Sequence, residues 1–205
     1  MKKRIISLIL FTVISLLYCL CSCSDDVIEY DEEELIAEAR TLIAGSVWFN
    51  EVFWGKGLEY MEGSAYDNGN YSPAEPLRDY VTINDIISAA EKIFSSGYMN
   101  TVRATVFSVQ FGDTGINGYA RYYQEGEFEP IMVRTDYSPV LVDKNAFLYD
   151  TIAVEGADES KVVLKVSLMV TRGEASQVIE RRINFVYEDG WRIDSHTFAN
   201  FNANI

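Results

Sequence analysis

The chain has 205 residues, of which 31 are Asp or Glu and 17 are Lys or Arg, giving a formal net charge of −14 at pH 7. Nucleic acid and anionic lipid headgroups are bound through clusters of Lys and Arg, and a chain this acidic excludes both as electrostatic partners. The length fits one domain with a sizeable hydrophobic core.

Residues 1–22 have the layout of a secretory signal peptide. Basic residues at positions 2–4 precede an apolar run over residues 5–17, and polar residues begin at position 22. The apolar run is shorter than the roughly 20 residues that a transmembrane helix needs to cross a bilayer. The pattern therefore predicts a targeting segment that is removed from the mature protein.

The residues at the end of this segment, Leu20, Cys21, Ser22 and Cys23, resemble the bacterial lipobox L-x-[GAS]-C. The resemblance implies cleavage before Cys23, a lipid on its sulfur and attachment of the exported protein to a bacterial membrane. The alternative is an uncleaved anchor with incidental cysteines. No cysteine follows Cys23, so no disulfide framework is expected in the mature chain.

An acidic segment, residues 23–34, follows the predicted lipid site and leads into a single domain over residues 35–205. Loss of the three basic residues with the signal peptide takes the formal charge from −14 to −17. Acidic residues just behind the lipid cysteine resemble the signal that brings lipoproteins to the cell surface in Bacteroides-type bacteria. The alternative is a solvated spacer whose second acidic block begins a helix.

The first half of the domain predicts helices. Apolar residues recur at helical spacing behind the acidic block, and Gly55 and Gly57 end this pattern. Thr82 and Asp85 have the spacing of a capping box, which predicts the start of a second helix that continues towards Gly97. A short third helix is expected over residues 100–108, although it contains several β-branched residues.

Between the first two helices lies a flap, residues 59–80, that is rich in Gly, Asn, Ser and Pro and contains Tyr60, Tyr66 and Tyr71. Beyond Gly118 the alternation of residues predicts strands at 119–124, 128–134, 146–155, 161–172, 177–187 and 191–198. Turn residues at 172–174 and 188–190 join neighbouring strands. The predicted fold class is α+β, with N-terminal helices packed on a curved antiparallel sheet.

This order of elements, with FWGKGLEY at 53–60 and DGWRIDS at 189–195, resembles the nuclear transport factor 2-like, or ketosteroid isomerase-like, cone. The resemblance extends over residues 32–198 and implies a cone-like arrangement of the sheet around the helices. It carries little information about function, because that fold hosts enzymes, binding proteins and structural accessories.

A catalytic role is weakly supported by residue type. His196 is the only histidine, and alternation from Trp191 predicts that it faces water together with Arg192 and Asp194. One histidine and a lipidated cysteine do not supply the ligands of a zinc site. No catalytic residue, metal ligand or cofactor is assigned from the sequence.

Aromatic residues are the stronger candidates for binding, because the chain has 13 Tyr and 3 Trp, whose rings stack on ligands and whose polar atoms form hydrogen bonds. The competing interpretation is that these rings pack in the core. The predicted ligand-binding residues are Trp54, Tyr60, Tyr66, Tyr71 and Tyr122.

The function that the sequence favours is a non-catalytic, membrane-anchored envelope lipoprotein that binds a small molecule, a glycan or a partner protein. One alternative is a small-molecule isomerase or dehydratase, for which Tyr119, Tyr122, Tyr149 and Asp150 are available residue types. An interior filled by Leu42, Ile86 and Phe94 would exclude this alternative. Another is a structural accessory of an envelope complex that associates through an exposed sheet face.

Overall fold

The structure is a computed structural model that describes residues 29–63, 70–107, 120–139, 144–158 and 160–197. The expected signal peptide, Cys23, Tyr66 and Tyr119 lie outside these ranges. Within them the fold is α+β, as predicted, with three α-helices and two open antiparallel sheets.

The helices are α1 (Glu32–Phe53), α2 (Ile83–Ala90) and α3 (Ser96–Val102), and α3 continues into a π-helical turn (Arg103–Phe107). The strands are β1 (Tyr71–Pro73), β2 (Tyr122–Tyr123), β3 (Met132–Arg134), β4 (Lys144–Ala157), β5 (Lys161–Arg172), β6 (Ala175–Tyr187) and β7 (Trp191–Ile193).

Two sheets organise these strands. The larger is a meander in the order β4-β5-β6-β7, and the smaller has the order β1-β3-β2. Strand β4 changes register against β5 between Leu148 and Ala153 and again between Val154 and Gly156. Bulges of this kind bend the strand that contains them.

The core lies between the large sheet and α1. Alternate residues of β5 from Val162 to Val170 are buried, whereas the residues between them are half-exposed. Leu35, Ile43 and Phe53 of α1 are fully buried in the same apolar cluster. The strand therefore has one apolar face towards the helix and one mixed face towards solvent, as its sequence alternation predicts.

The first two predicted helix starts are confirmed by their capping groups. Asp31 accepts a hydrogen bond from the backbone N–H of Glu34 at the start of α1. At the start of α2, Thr82 and Asp85 form the reciprocal capping box. Helix α1 begins at Glu32, so the glutamates of the second acidic block form its first turn, as predicted.

The C-terminal end of α1 lacks a basic residue in its last turn, and a distant arginine takes that place. Arg121 is 2% exposed and donates hydrogen bonds to the carbonyls of Phe53, at 2.9 Å, and Gly55, at 2.5 Å. Its guanidinium lies 4.5 Å from the ring centre of Tyr137. A cation at this position stabilises the negative end of the helix dipole and satisfies carbonyls that have no partner within the helix.

Tyr122 also binds the end of α1, and we call Arg121 and Tyr122 together the helix-end clamp. Its hydroxyl donates to the carbonyl of Val52 at 2.7 Å and accepts the backbone N–H of Leu58 at 3.1 Å. Gly57 has a φ of +91°, and a Cβ at this position would lie 2.6 Å from Nη2 of Arg121 and 2.7 Å from the Tyr122 hydroxyl. Glycine is therefore required where the chain turns away from the helix.

Two helix predictions differ from the structure. The second helix stops at Ala90, because Ile93 and Ser95 form backbone hydrogen bonds with Ile193 of β7. The third begins at Ser96 rather than at residue 100, since the hydroxyl of Ser95 caps it by accepting the backbone N–H of Tyr98. A long-range strand contact thus ends the second helix, whereas a local cap begins the third.

Three strands are shorter than predicted. The strand expected at 119–124 is β2, which spans only Tyr122–Tyr123. The strand expected at 128–134 is β3, which begins at Met132. Residues 126–129 form a turn instead, because the backbone N–H of Glu129 donates to the carbonyl of Gly126. The last strand ends at Ile193. Strands β4, β5 and β6 match their predicted ranges to within two residues at each end.

Asp194 joins the end of β7 to its surroundings. It accepts hydrogen bonds from the hydroxyl of Ser95 at 2.5 Å and from Nζ of Lys161 at 2.7 Å. Partial burial alone would raise the pKa of Asp194, but the hydrogen bonds from Lys161 and Ser95 and the charge of Lys161 lower it below its ordinary value.

We expect Asp194→Asn to lower the free energy of unfolding at neutral pH by roughly 1–3 kcal/mol, because two hydrogen bonds to a charged group are weakened. A carboxylate with a lowered folded pKa stabilises the protein above its unfolded pKa of about 3.9, and this contribution disappears as the pH falls through the folded value. Urea unfolding at a series of pH values measures both effects. Asp189→Asn, in an exposed turn, is the control; an equal loss at acid and neutral pH would contradict the assignment.

Candidate functional site

A groove of about 490 Å³ lies at the base of the flap. Met61, residues 73–77, Tyr80 and Val81 line one side of this flap-base groove, and residues 127–131 line the other. Phe128 is 97% exposed and Val81 is 74% exposed. The groove is therefore a concave apolar surface bordered by two large apolar side chains that the fold leaves in water.

The walls of the groove are tied together by backbone and side-chain hydrogen bonds. The N–H of Met61 donates to the carbonyl of Pro73, and the N–H of Ala74 donates to the carbonyl of Ile131. Gln124 accepts the N–H of Ile83 at 3.0 Å and donates to the carbonyl of Glu129 at 2.8 Å. These bonds hold both walls in place without filling the space between them.

Acidic residues surround this apolar surface. Three of the residues that line the groove are glutamates, Glu75, Glu127 and Glu129, and none is Lys or Arg. All three are exposed. An apolar surface with a negative rim is complementary to an apolar group that has positive charges beside it.

An aromatic stack extends from the groove to α1. The ring of Tyr80 lies 5.0 Å from that of Trp48, nearly parallel to it, and Trp48 is 39% exposed. Phe49 contacts both rings from the core side. This stack fixes the position of the Tyr80 ring in the wall of the groove.

A second cluster of rings lies at the end of α1. Nε1 of Trp54 donates to the hydroxyl of Tyr98 at 2.9 Å, and this hydroxyl lies 3.4 Å from Nδ1 of His196. The rings of Trp54 and His196 meet edge to face with centres 5.6 Å apart. His196 is exposed, as predicted, but it contacts residues of the helices, because β7 ends at Ile193 and strand alternation does not continue to residue 196.

The titration of these groups follows from their surroundings. Burial raises the pKa of Tyr98 to about 12, so its phenol stays protonated at neutral pH. Loss of water from part of the imidazole, together with the positive charge of Arg181, lowers the pKa of His196 below its ordinary value. Both side chains are therefore neutral near pH 7.

The other predicted binding residues are distributed over the fold. Tyr122 is fully buried and holds the end of α1. Tyr71 donates to the carbonyl of Ala120 at 2.5 Å and packs against Tyr123, whereas Tyr60 is half-exposed beside the groove. Of the four predicted residues that the structure describes, Trp54 alone contacts the ring cluster at His196.

The interior of the described part of the chain is mainly apolar. Leu42, Ile86 and Phe94 are buried in one apolar cluster. No Asp or Glu is buried among the residues that the structure describes, and Asp150 is 98% exposed at its side chain. Within the described ranges no group of three or more His, Cys, Asp or Glu has an arrangement that could hold a metal ion.

Sequence reasoning missed most of the flap-base groove. The strand predicted at 128–134 includes Phe128, although this residue stands alone between glutamates in the segment EGEFEP. An isolated apolar residue in an acidic turn has no apolar neighbours in sequence with which to reach a core, and this signal identifies it as exposed. Tyr80 and Val81 are brought to the same surface only by the fold.

No protein-family model matches the chain, and the search of curated proteins found no match. Among the helices that the structure describes, none combines the length and the apolar character needed to cross a membrane.

Proposed function

We propose that the protein is an exported bacterial lipoprotein, attached to a membrane by lipid on Cys23, whose domain binds a segment of a partner protein in the flap-base groove. The observation that carries the proposal is the exposure of Phe128, at 97%, on the border of an apolar groove. Exposure of this ring does not stabilise the fold, because burial of an aromatic side chain is favourable by a few kcal/mol.

The chemistry of the groove favours a partner segment with apolar side chains flanked by Lys or Arg. The apolar lining provides the area for hydrophobic contact, and the rim of Glu75, Glu127 and Glu129 attracts positive charges. A volume of about 490 Å³ accommodates a few side chains rather than a whole domain face. The partner is therefore expected to insert a short segment.

Export and anchoring rest on the sequence. The basic start, the short apolar run and the lipobox-like residues Leu20 to Cys23 support cleavage and lipidation. The acidic residues behind Cys23 support exposure at the cell surface. A cone-like frame of the nuclear transport factor 2-like type is supported by the order of helices and antiparallel strands and by the bulges that bend β4.

The two alternative functions find less support. An isomerase or dehydratase would use a buried carboxylate, and the described residues place Leu42, Ile86 and Phe94 in the interior instead. A structural accessory would use an apolar outer sheet face. On β5 that face holds Lys165, Ser167 and Thr171 among its half-exposed residues and is mixed in polarity.

We expect a short synthetic peptide of alternating Leu and Lys to bind the protein, and the matched peptide with Glu in place of Lys to bind at least about tenfold more weakly, because of repulsion from the acidic rim. Phe128→Ala should lower the affinity for the Leu/Lys peptide by about tenfold or more, as expected for a central apolar contact. Fluorescence anisotropy measures both affinities.

Tyr187→Ala is the control, since Tyr187 is 61% exposed and does not line the groove. Neither substitution should change the unfolding temperature appreciably, because both side chains are exposed. Equal affinity for the two peptides, or equal loss in the two variants, would show that binding takes place elsewhere.

The anchor is tested separately with Cys23→Ser. We expect this substitution to abolish incorporation of labelled fatty acid and to release the protein from the membrane fraction, since the lipid chains supply the free energy of attachment. Cys21→Ser should leave labelling unchanged. Retained labelling in the Cys23→Ser protein would contradict the assigned site.

A further inference from the structure

Arg181 on β6 occupies an unusual position for a charged residue. It pairs across the sheet with Val166, which is 1% exposed and faces the helices. Directly paired residues of neighbouring antiparallel strands project on the same side of the sheet. Arg181 therefore lies on the helix-facing side, among apolar residues, and is half-buried there.

Two nitrogens of the Arg181 guanidinium have no hydrogen-bond partner among the described residues. Its Nε and Nη2 atoms are buried without a hydrogen bond, and no carboxylate of the described residues forms an ion pair with it. The next residue, Arg182, projects to the opposite side and makes two hydrogen bonds to Glu155, at 2.6 and 2.8 Å. Among the described residues, two adjacent arginines on one strand thus differ: Arg182 is paired with a carboxylate and Arg181 is not.

This arrangement is unfavourable for stability. Removing a cation from water without a counter-charge is unfavourable, and an apolar residue of similar volume is usually better tolerated. Burial accordingly lowers the pKa of Arg181, with no neighbouring group that offsets the effect. The residue is therefore better explained by a ligand than by the fold.

The ring cluster lies on the segment that follows β7, and this segment continues beside β6. Asn184 of β6 accepts the backbone N–H of Asp194 and donates its own N–H to the hydroxyl of Ser195 at 3.0 Å. His196 is the next residue, and its ring meets that of Trp54 with centres 5.6 Å apart. A second unsatisfied atom belongs to the same region: Oδ1 of Asn50, a residue 3% exposed, has no partner, although its Nδ2 donates to Thr197 at 2.6 Å. Asn50 lies one helical turn before Trp54 on α1.

We propose that Arg181 is the anion-binding group of a small-molecule site, separate from the flap-base groove, which takes the carboxylate of an organic acid whose planar body lies against the rings of Trp54 and His196. Nε and Nη2 form the edge of a guanidinium that binds both oxygens of a carboxylate in parallel. Arg181 is half-buried, so part of its side chain is accessible from solvent.

A carboxylate fits this site better than a phosphate. A phosphate dianion needs more than one positive charge, and His196 is neutral near pH 7 because its pKa is lowered. The rings of Trp54, Tyr98 and His196 offer apolar faces and hydrogen-bonding atoms rather than further cations. The site therefore selects one negative charge attached to a planar, largely apolar body.

The test uses the full chain in detergent micelles, with benzoate, acetate, benzamide and inorganic phosphate as probes in thermal unfolding. Benzoate should raise the unfolding temperature of the wild type in a concentration-dependent way, because it binds the folded state, and it should do so more than acetate or phosphate. Benzamide, which has the same shape without the charge, should have no effect. Arg181→Met should weaken benzoate binding by at least about tenfold.

Two further readouts separate binding from a structural role. Without ligand, Arg181→Met should unfold at the same or a higher temperature than the wild type, since an unpaired cation is removed. Arg182→Met, on the same strand but the opposite face, should keep the response to benzoate. An unchanged benzoate response in Arg181→Met, no response in the wild type, or a phosphate response as large as that of benzoate would each overturn the proposal.

Discussion

The structure depends on one buried cation at the end of α1, the longest helix that the structure describes. Helix α1 has three glutamates in its first turn, where they stabilise the positive end of the helix dipole, but no basic residue in its last turn. Arg121 supplies the missing charge from outside the helix and donates to the carbonyl of Phe53. The hydroxyl of Tyr122 donates to the preceding carbonyl, that of Val52. A buried guanidinium is tolerated here because carbonyl oxygens and the ring of Tyr137 surround it.

This clamp decides where the following residues lie. The chain leaves the helix through Gly57, which has room for no side chain beside Arg121 and Tyr122. Trp54 is thereby held against Tyr98 and His196, whereas Met61 reaches the flap-base groove through its hydrogen bond to Pro73. Each proposed binding site therefore includes one residue, Met61 or Trp54, from the short segment that follows the helix end.

The parts of the fold that local sequence encodes were predictable. The capping box at Thr82, the range of β5 and the turn through Asp189 and Gly190 each depend on residues close together in sequence. The early end of α2 was not predictable, because it depends on pairing of Ile93 with Ile193. The clamp likewise joins residues more than sixty positions apart.

The candidate sites were predictable only in part. Trp54 was identified from its ring, but its neighbours Tyr98 and Arg181 were not, because nothing in the sequence reveals which arginine lacks a carboxylate. Arg181 and Arg182 are adjacent and chemically identical, and only the register of β6 against β5 distinguishes the unpaired one from the paired one. The absence of a partner is a property of the fold rather than of the sequence.

The central claim, that the helix-end clamp holds the segment behind α1 in place, is tested most directly by hydrogen exchange of the Tyr122→Phe protein, with Tyr187→Phe as its matched control. We expect faster exchange in residues 54–61 and in the paired residues 71–75, while β5 and β6 keep the protection of the wild type. Unchanged exchange in residues 54–61, or an equal increase over all elements, would contradict the account.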